Sequence, residues 1–75
     1  MKKFVYIVLG RTWVDSEPWG AAWQAAKVEA TEKNALIGRL VLKDDEVIRE
    51  EVYDRGAFIA AKLYIQRHPD VVTPL

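Results

Sequence analysis

Apolar residues fill nearly every position of "KKFVYIVLG", which is rich in β-branched and aromatic side chains and ends at Gly10. A run of this kind without a polar face predicts a strand covered on both sides. "DSEPW" then reads as a helix start. Asp15 or Ser16 can cap free N–H groups, Glu17 suits the positive end of the dipole, and Pro18 is tolerated in a first turn. The predicted helix runs from about Glu17 to Lys33. Trp19, Ala22, Trp23, Ala26 and Ala30 fall on one stripe of it, while Gln24, Lys27, Thr31 and Glu32 lie away from that stripe. Asn34 is the expected stop. Trp19 and Trp23 are therefore assigned to the core, and Trp13, between strand and helix, is left as either a strand residue or an exposed anchor.

From Ala35 to Asp54 helical and extended readings compete, since a helix from Asp45 would also bring Ile48 and Val52 together. Cross-strand pairing favours a hairpin. A reversal at "KDDE" sets Leu42 against Val47, Val41 against Ile48, Arg39 against Glu50, Ile37 against Val52 and Lys43 against Glu46, giving aliphatic and opposite-charge pairs. The Asp44-Asp45 turn lacks the usual glycine, so a four-residue loop is the alternative. "AFIAAKLYIQRH" after Gly56 predicts a second helix, closed by Arg67, His68 and Pro69.

The resulting fold class is α+β: a two-layer β-α-β-β-α domain with a three-stranded sheet and two helices. The uniformly apolar second strand belongs in the middle and the acidic third at an edge, which makes the first connection a right-handed parallel crossover. A fully antiparallel sheet with the third strand central is the alternative. The hairpin register separates Leu36, Gly38, Leu40, Leu42, Val47 and Tyr53 on one face from Ile37, Val41, Ile48 and Val52 on the other, the latter crossed by Arg39 and Glu50. Both faces are too apolar to stand open to water. Either the helices cover opposite faces, or both cover one and a partner takes the second; the short chain favours the partner.

Composition narrows the possibilities. With 75 residues the chain is read as a single domain spanning 1–75, its tail from 69 to 75 extended and partly loose; a domain of this size buries only about 60–65% of its unfolded surface. The absence of cysteine rules out a disulfide framework and a thiolate metal site, and suits a reducing compartment, so the cytoplasm is the expected location. The apolar run after Lys2 and Lys3 is too short for a span and lacks a small-residue cleavage site, so neither a membrane segment nor a signal peptide is expected. Zero formal net charge argues against a general nucleic-acid binder. The distribution is dipolar: six acids stand against Arg49 alone between Asp44 and Asp54, and only bases follow from Arg55 to His68.

Candidate chemistry is sparse. His68, the only histidine, sits where a helix end favours a cation, and Ser16, the only serine, sits where a cap is needed. No nucleophile–histidine arrangement, metal-ligand spacing or phosphate loop occurs, so no catalytic residue, cofactor or metal is expected and the chain is read as a non-enzyme. Asp44, Asp45, Glu46, Glu50, Glu51 and Asp54 are read as devices against edge-to-edge association, with an acidic arm for a basic partner as the alternative.

Arg11 and Trp13, residue types common at interface hot spots, together with Ile37, Arg39, Val41, Ile48, Glu50 and Val52, form the expected partner-binding set. The expected function is a small protein-interaction module that self-associates through a sheet face. The runner-up is binding of single-stranded RNA or DNA through Tyr6, Trp13, Arg39 and Lys62. In length and layout the chain resembles the short accessory proteins encoded by phages and mobile elements, some of which inhibit host enzymes or defence systems by binding them. That resemblance implies a binding role and assigns no residue.

Overall fold

The structure, a computed structural model, describes residues 1–70. Seven elements follow in chain order: strands β1 (Lys2–Val8) and β2 (Arg11–Asp15), helix α1 (Ala21–Lys33), strands β3 (Gly38–Lys43), β4 (Glu46–Asp54) and β5 (Ala57–Ala60), and helix α2 (Ala61–Arg67). The α+β class stands. The sheet has five strands rather than three, ordered β2-β1-β3-β4-β5 with every pair antiparallel.

Two strands account for the difference. β2 forms because the chain turns back at Leu9 and Gly10, both at positive φ (46° and 83°), and lays Trp13 opposite Tyr6. This early hairpin delays α1 to Ala21, so the stretch from Ser16 to Gly20, Trp19 included, precedes the helix instead of opening it. It also replaces the expected parallel pairing: β2 has already reversed the chain, so α1 crosses over β1 from β2 to the parallel but non-adjacent β3, and β3 pairs antiparallel with β1. β5 takes the first residues of the expected second helix. Arg55 and Gly56 turn at φ 52° and 89°, and Ala57–Ala60 pair with Glu51–Asp54 before α2 begins. The expected extended tail lies mostly outside the described residues.

Other expectations hold. β3 is the central strand, and Asp44 and Asp45 make the two-residue turn without glycine, at φ 50° and 66°. Positive φ at both central residues is the turn that matches strand twist, and aspartate tolerates it better than most residues. Asn34 ends α1 in the left-handed conformation at φ 50°. Asp15 organises the other end: its Oδ2 accepts from the Ala22 N–H and its Oδ1 from the Glu17 N–H, each at 3.1 Å. These donors, Ala22 first, hold the Asp15 carboxyl below its ordinary range. Gly20 makes room for the arrangement, since a Cβ there would come within 2.6 Å of Asp15 Oδ2.

The β3–β4 register departs from the predicted one through a bulge. Lys43 opposes Glu46 and Leu42 opposes Val47 as predicted, but Val41 then opposes Arg49, leaving Ile48 as the extra residue. Beyond the bulge Arg39 faces Glu51 and Gly38 faces Val52, so every later β4 side chain is on the face opposite to the one predicted.

The helices occupy opposite faces. α1 packs Ala22, Trp23, Ala26 and Ala30 against Tyr6, Val8 and Ile37, with Trp13, Tyr53 and Phe58 at the margin. Val52, the neighbour of Tyr53 and therefore on the reverse side, packs with Ile59 and Leu36 against Ala61 and Tyr64 of α2. The expectation that both helices share one layer is thus corrected. A short second helix can leave a strand end and fold back over the far side at once, which sequence periodicity does not register.

Candidate interaction faces

On the α1 side the register Trp13–Tyr6–Arg39–Glu51–Ala60 runs across all five strands. Arg39 is the buried centre of this row. Its Nε donates to Glu51 Oε1 at 2.9 Å, and its guanidinium carbon sits 3.9 Å from the Phe58 ring centroid. Phe4, Tyr6 and Trp19 stand 5.6, 6.0 and 5.6 Å from the same carbon, so a desolvated cation is held in an aromatic box. The Arg39 Nη1 is buried without a hydrogen-bond partner among the described residues. The Tyr6 hydroxyl donates to the Pro18 carbonyl, and burial raises its pKa above the ordinary 10.0, an effect the neighbouring Arg39 opposes.

The three tryptophans divide differently from the sequence reading. Trp23 is buried and meets the rings of Tyr6, Trp19, Tyr53 and Phe58. Trp13 is a strand residue, partly buried against the same core, with the Arg11 guanidinium 5.1 Å from its ring. Arg11 also reaches Glu29 at 3.0 Å and so ties β2 to α1. Trp19, assigned to the core, is instead 55% exposed on the stretch before α1, with one edge packed on Trp23.

The eight residues expected to form one binding surface are dispersed. Arg11, Trp13, Ile37, Arg39 and Val41 lie on the α1 side, where Ile37, Arg39 and Val41 are buried. Val52 is fully buried beside α2, Glu50 is exposed on that same side, and Ile48 sits exposed at the bulge. The nucleic-acid reading loses Tyr6 and Arg39 as stacking and phosphate groups for the same reason, since both are in the core.

The face that remains under-covered is the one assigned in sequence to a helix. Val14, Val5 and Leu40 are successive cross-strand neighbours on β2, β1 and β3, and Leu42 faces Val47 one row away. α2 packs on β4 and β5, away from β1 and β2. Val14 and Val47 are consequently 60% and 51% exposed, and Val5, Ile7, Leu40 and Leu42 are half-buried. The alternation in "KKFVYIV" and "GRLVLK" carries the signal for this strip.

The acids separate into pairs rather than a cluster. Asp44 meets the N-terminus at 3.0 Å, Asp45 meets Lys3 at 3.8 Å, Glu51 meets Arg39 at 2.8 Å, and Asp54 lies 3.8 Å from both Arg67 and His68. Among the described residues no group of three His, Asp or Glu side chains is placed to hold a metal ion, and no helix is long and apolar enough to cross a membrane. In comparisons with known proteins, no family model, no curated protein and no solved structure matches this chain.

Proposed function

We propose that the protein is a small non-enzymatic interaction module that self-associates through the α2-side face of its sheet, in the manner of a phage or mobile-element accessory or inhibitor protein. The observation that carries this reading is the strip Val14, Val5, Leu40, Leu42 and Val47, which lies beyond the reach of α2. A monomer of this size has little surplus stability to spend on an open apolar sheet face, and such patches are typical of interaction sites. Zero net charge removes the long-range repulsion that would oppose pairing of identical chains. Lys3 and Glu50, on the same face as the strip, give it a cation and an anion at its border, so a two-fold related copy offers matching charges.

Sedimentation velocity across a micromolar concentration series tests the reading. A dimer that dissociates in Val14→Lys, with an unchanged circular dichroism spectrum, is the expected result. A chain that stays monomeric at the highest concentration defeats it.

A further inference from the structure

A second surface lies at the sheet edge, where it adjoins the strip at Val47 and Glu50. β5 covers only Glu51–Asp54 of the nine-residue β4, because the chain leaves the sheet at Ala61 to form α2. Among the described residues the outer edge of β4 from Glu46 to Glu50 therefore has no strand beside it. The Tyr53 N–H donates inward to Ile37 at 2.9 Å, and in an antiparallel strand alternate residues direct their polar backbone groups to opposite sides. The backbone groups of Val52 and Glu50 thus point outward; Val52 meets Ile59 of β5, and Glu50 meets no described strand. Two open cavities follow this edge. One of about 410 Å³ is lined by Ile48, Arg49, Glu50, Glu51 and Ala60, where β5 stops, and one of about 350 Å³ by Val47, Ile48, Arg49 and Glu50.

We infer that this notch accepts an extended basic segment of another protein as a further antiparallel or parallel strand, in line with β5. The open stretch is about 16 Å long at ordinary strand rise, room for about five residues. Its backbone supplies hydrogen bonds, exposed Ile48 supplies apolar contact, and charge selects the occupant. Glu46 and Glu50 have no ion-pair partner among the described residues, whereas Asp44, Asp45, Glu51 and Asp54 each have one. Two bases stand beside them, Arg49 on the same strand and Lys43 across from Glu46. A second copy is disfavoured at this edge, because antiparallel pairing of two open stretches about Ile48 sets Glu46 against Glu50 twice, and like charges directly opposite are destabilising.

The test is a titration of the isotope-labelled full chain, carrying Val14→Lys to suppress pairing through the sheet face, with a short blocked peptide of alternating lysine and valine. Amide shifts confined to Val47–Glu51 and Ala60 are expected. N-methylation of the peptide at alternate amides should weaken binding roughly tenfold or more, the consequence of losing a few backbone hydrogen bonds. Glu50→Lys should weaken it while leaving the thermal melt unchanged. The inference is overturned by the absence of shifts, by equal binding of a glutamate–valine peptide, by indifference to N-methylation, or by edge amides that move with protein concentration alone. Each of these outcomes is separate from the sedimentation result, which reports on the Val14 face.

Discussion

Arg39 and Glu51 face each other across β3 and β4, and both Nε, at 2.9 Å, and Nη2, at 2.8 Å, approach the single carboxylate oxygen Oε1. The two side chains are 10% and 9% exposed, so neither charge has adequate water to replace its partner. Removing one member of such a pair leaves an uncompensated buried charge, whereas replacing both by apolar groups removes the desolvation cost along with the attraction. Glu51→Ala should therefore lower stability by about 3–5 kcal/mol, while Arg39→Met combined with Glu51→Leu should fall far closer to the parent chain. Urea denaturation of the three proteins measures the difference, and a double variant as unstable as the single one would contradict the account.

The tryptophans should rank by enclosure. Trp23→Ala removes the ring that contacts Tyr6, Tyr53 and Phe58 and should cost about 3–5 kcal/mol through the cavity it leaves. Trp13→Ala should cost less, because that ring is only partly buried. Trp19→Ala should cost least of the three, since more than half of the side chain is already in water. Thermal melts by circular dichroism give the order directly.

Leu9 holds φ at 46° in the β1–β2 turn while 67% exposed, so it bears the strain of the left-handed region with little burial in return. That conformation costs an ordinary L-residue about 1–2 kcal/mol and asparagine considerably less. Leu9→Asn, which also creates the Asn-Gly pair favoured in such turns, should raise the melting temperature by several degrees. A fall would show that Leu9 makes contacts that outweigh its strain.

Asp15 makes stability sensitive to acid. Its carboxyl titrates below the ordinary 3.8 because the Ala22 and Glu17 N–H groups bind the charged form. The folded-state pKa is depressed, so the stabilisation is fully present above the unfolded-state value and is lost as pH falls from there through the folded-state value. Asp15→Asn should lower stability at neutral pH and flatten the decline as pH falls below the ordinary carboxylate value of 3.8. Gly20→Ala should resemble it at neutral pH, because the added methyl displaces Oδ2 from its place beside the Ala22 N–H. Denaturant midpoints at a series of pH values separate the two variants from the parent.

Local features were legible in the sequence because their causes are local. The apolar runs of β1 and β3 needed burial wherever they lay, Asp44 and Asp45 were suited to a left-handed turn, Asn34 was suited to a left-handed helix end, and Trp23 fell on a stripe with small alanines. Those assignments agree with the structure. β2 and β5 were not legible, since five and four residues of ordinary composition become strands only when a neighbour offers its edge. The decisive event is the one-residue bulge at Ile48. Strand side chains alternate with a period of two, so one inserted residue transfers Glu51 to the α1 side to meet Arg39, moves Val52 beneath α2, and leaves Leu40 and Val47 on the open face. The hydrophobic pattern required that two faces be apolar. Which residues share each face was decided by the packing of Arg39 and Glu51 in the core, a relation between strands that no stretch of the chain contains by itself.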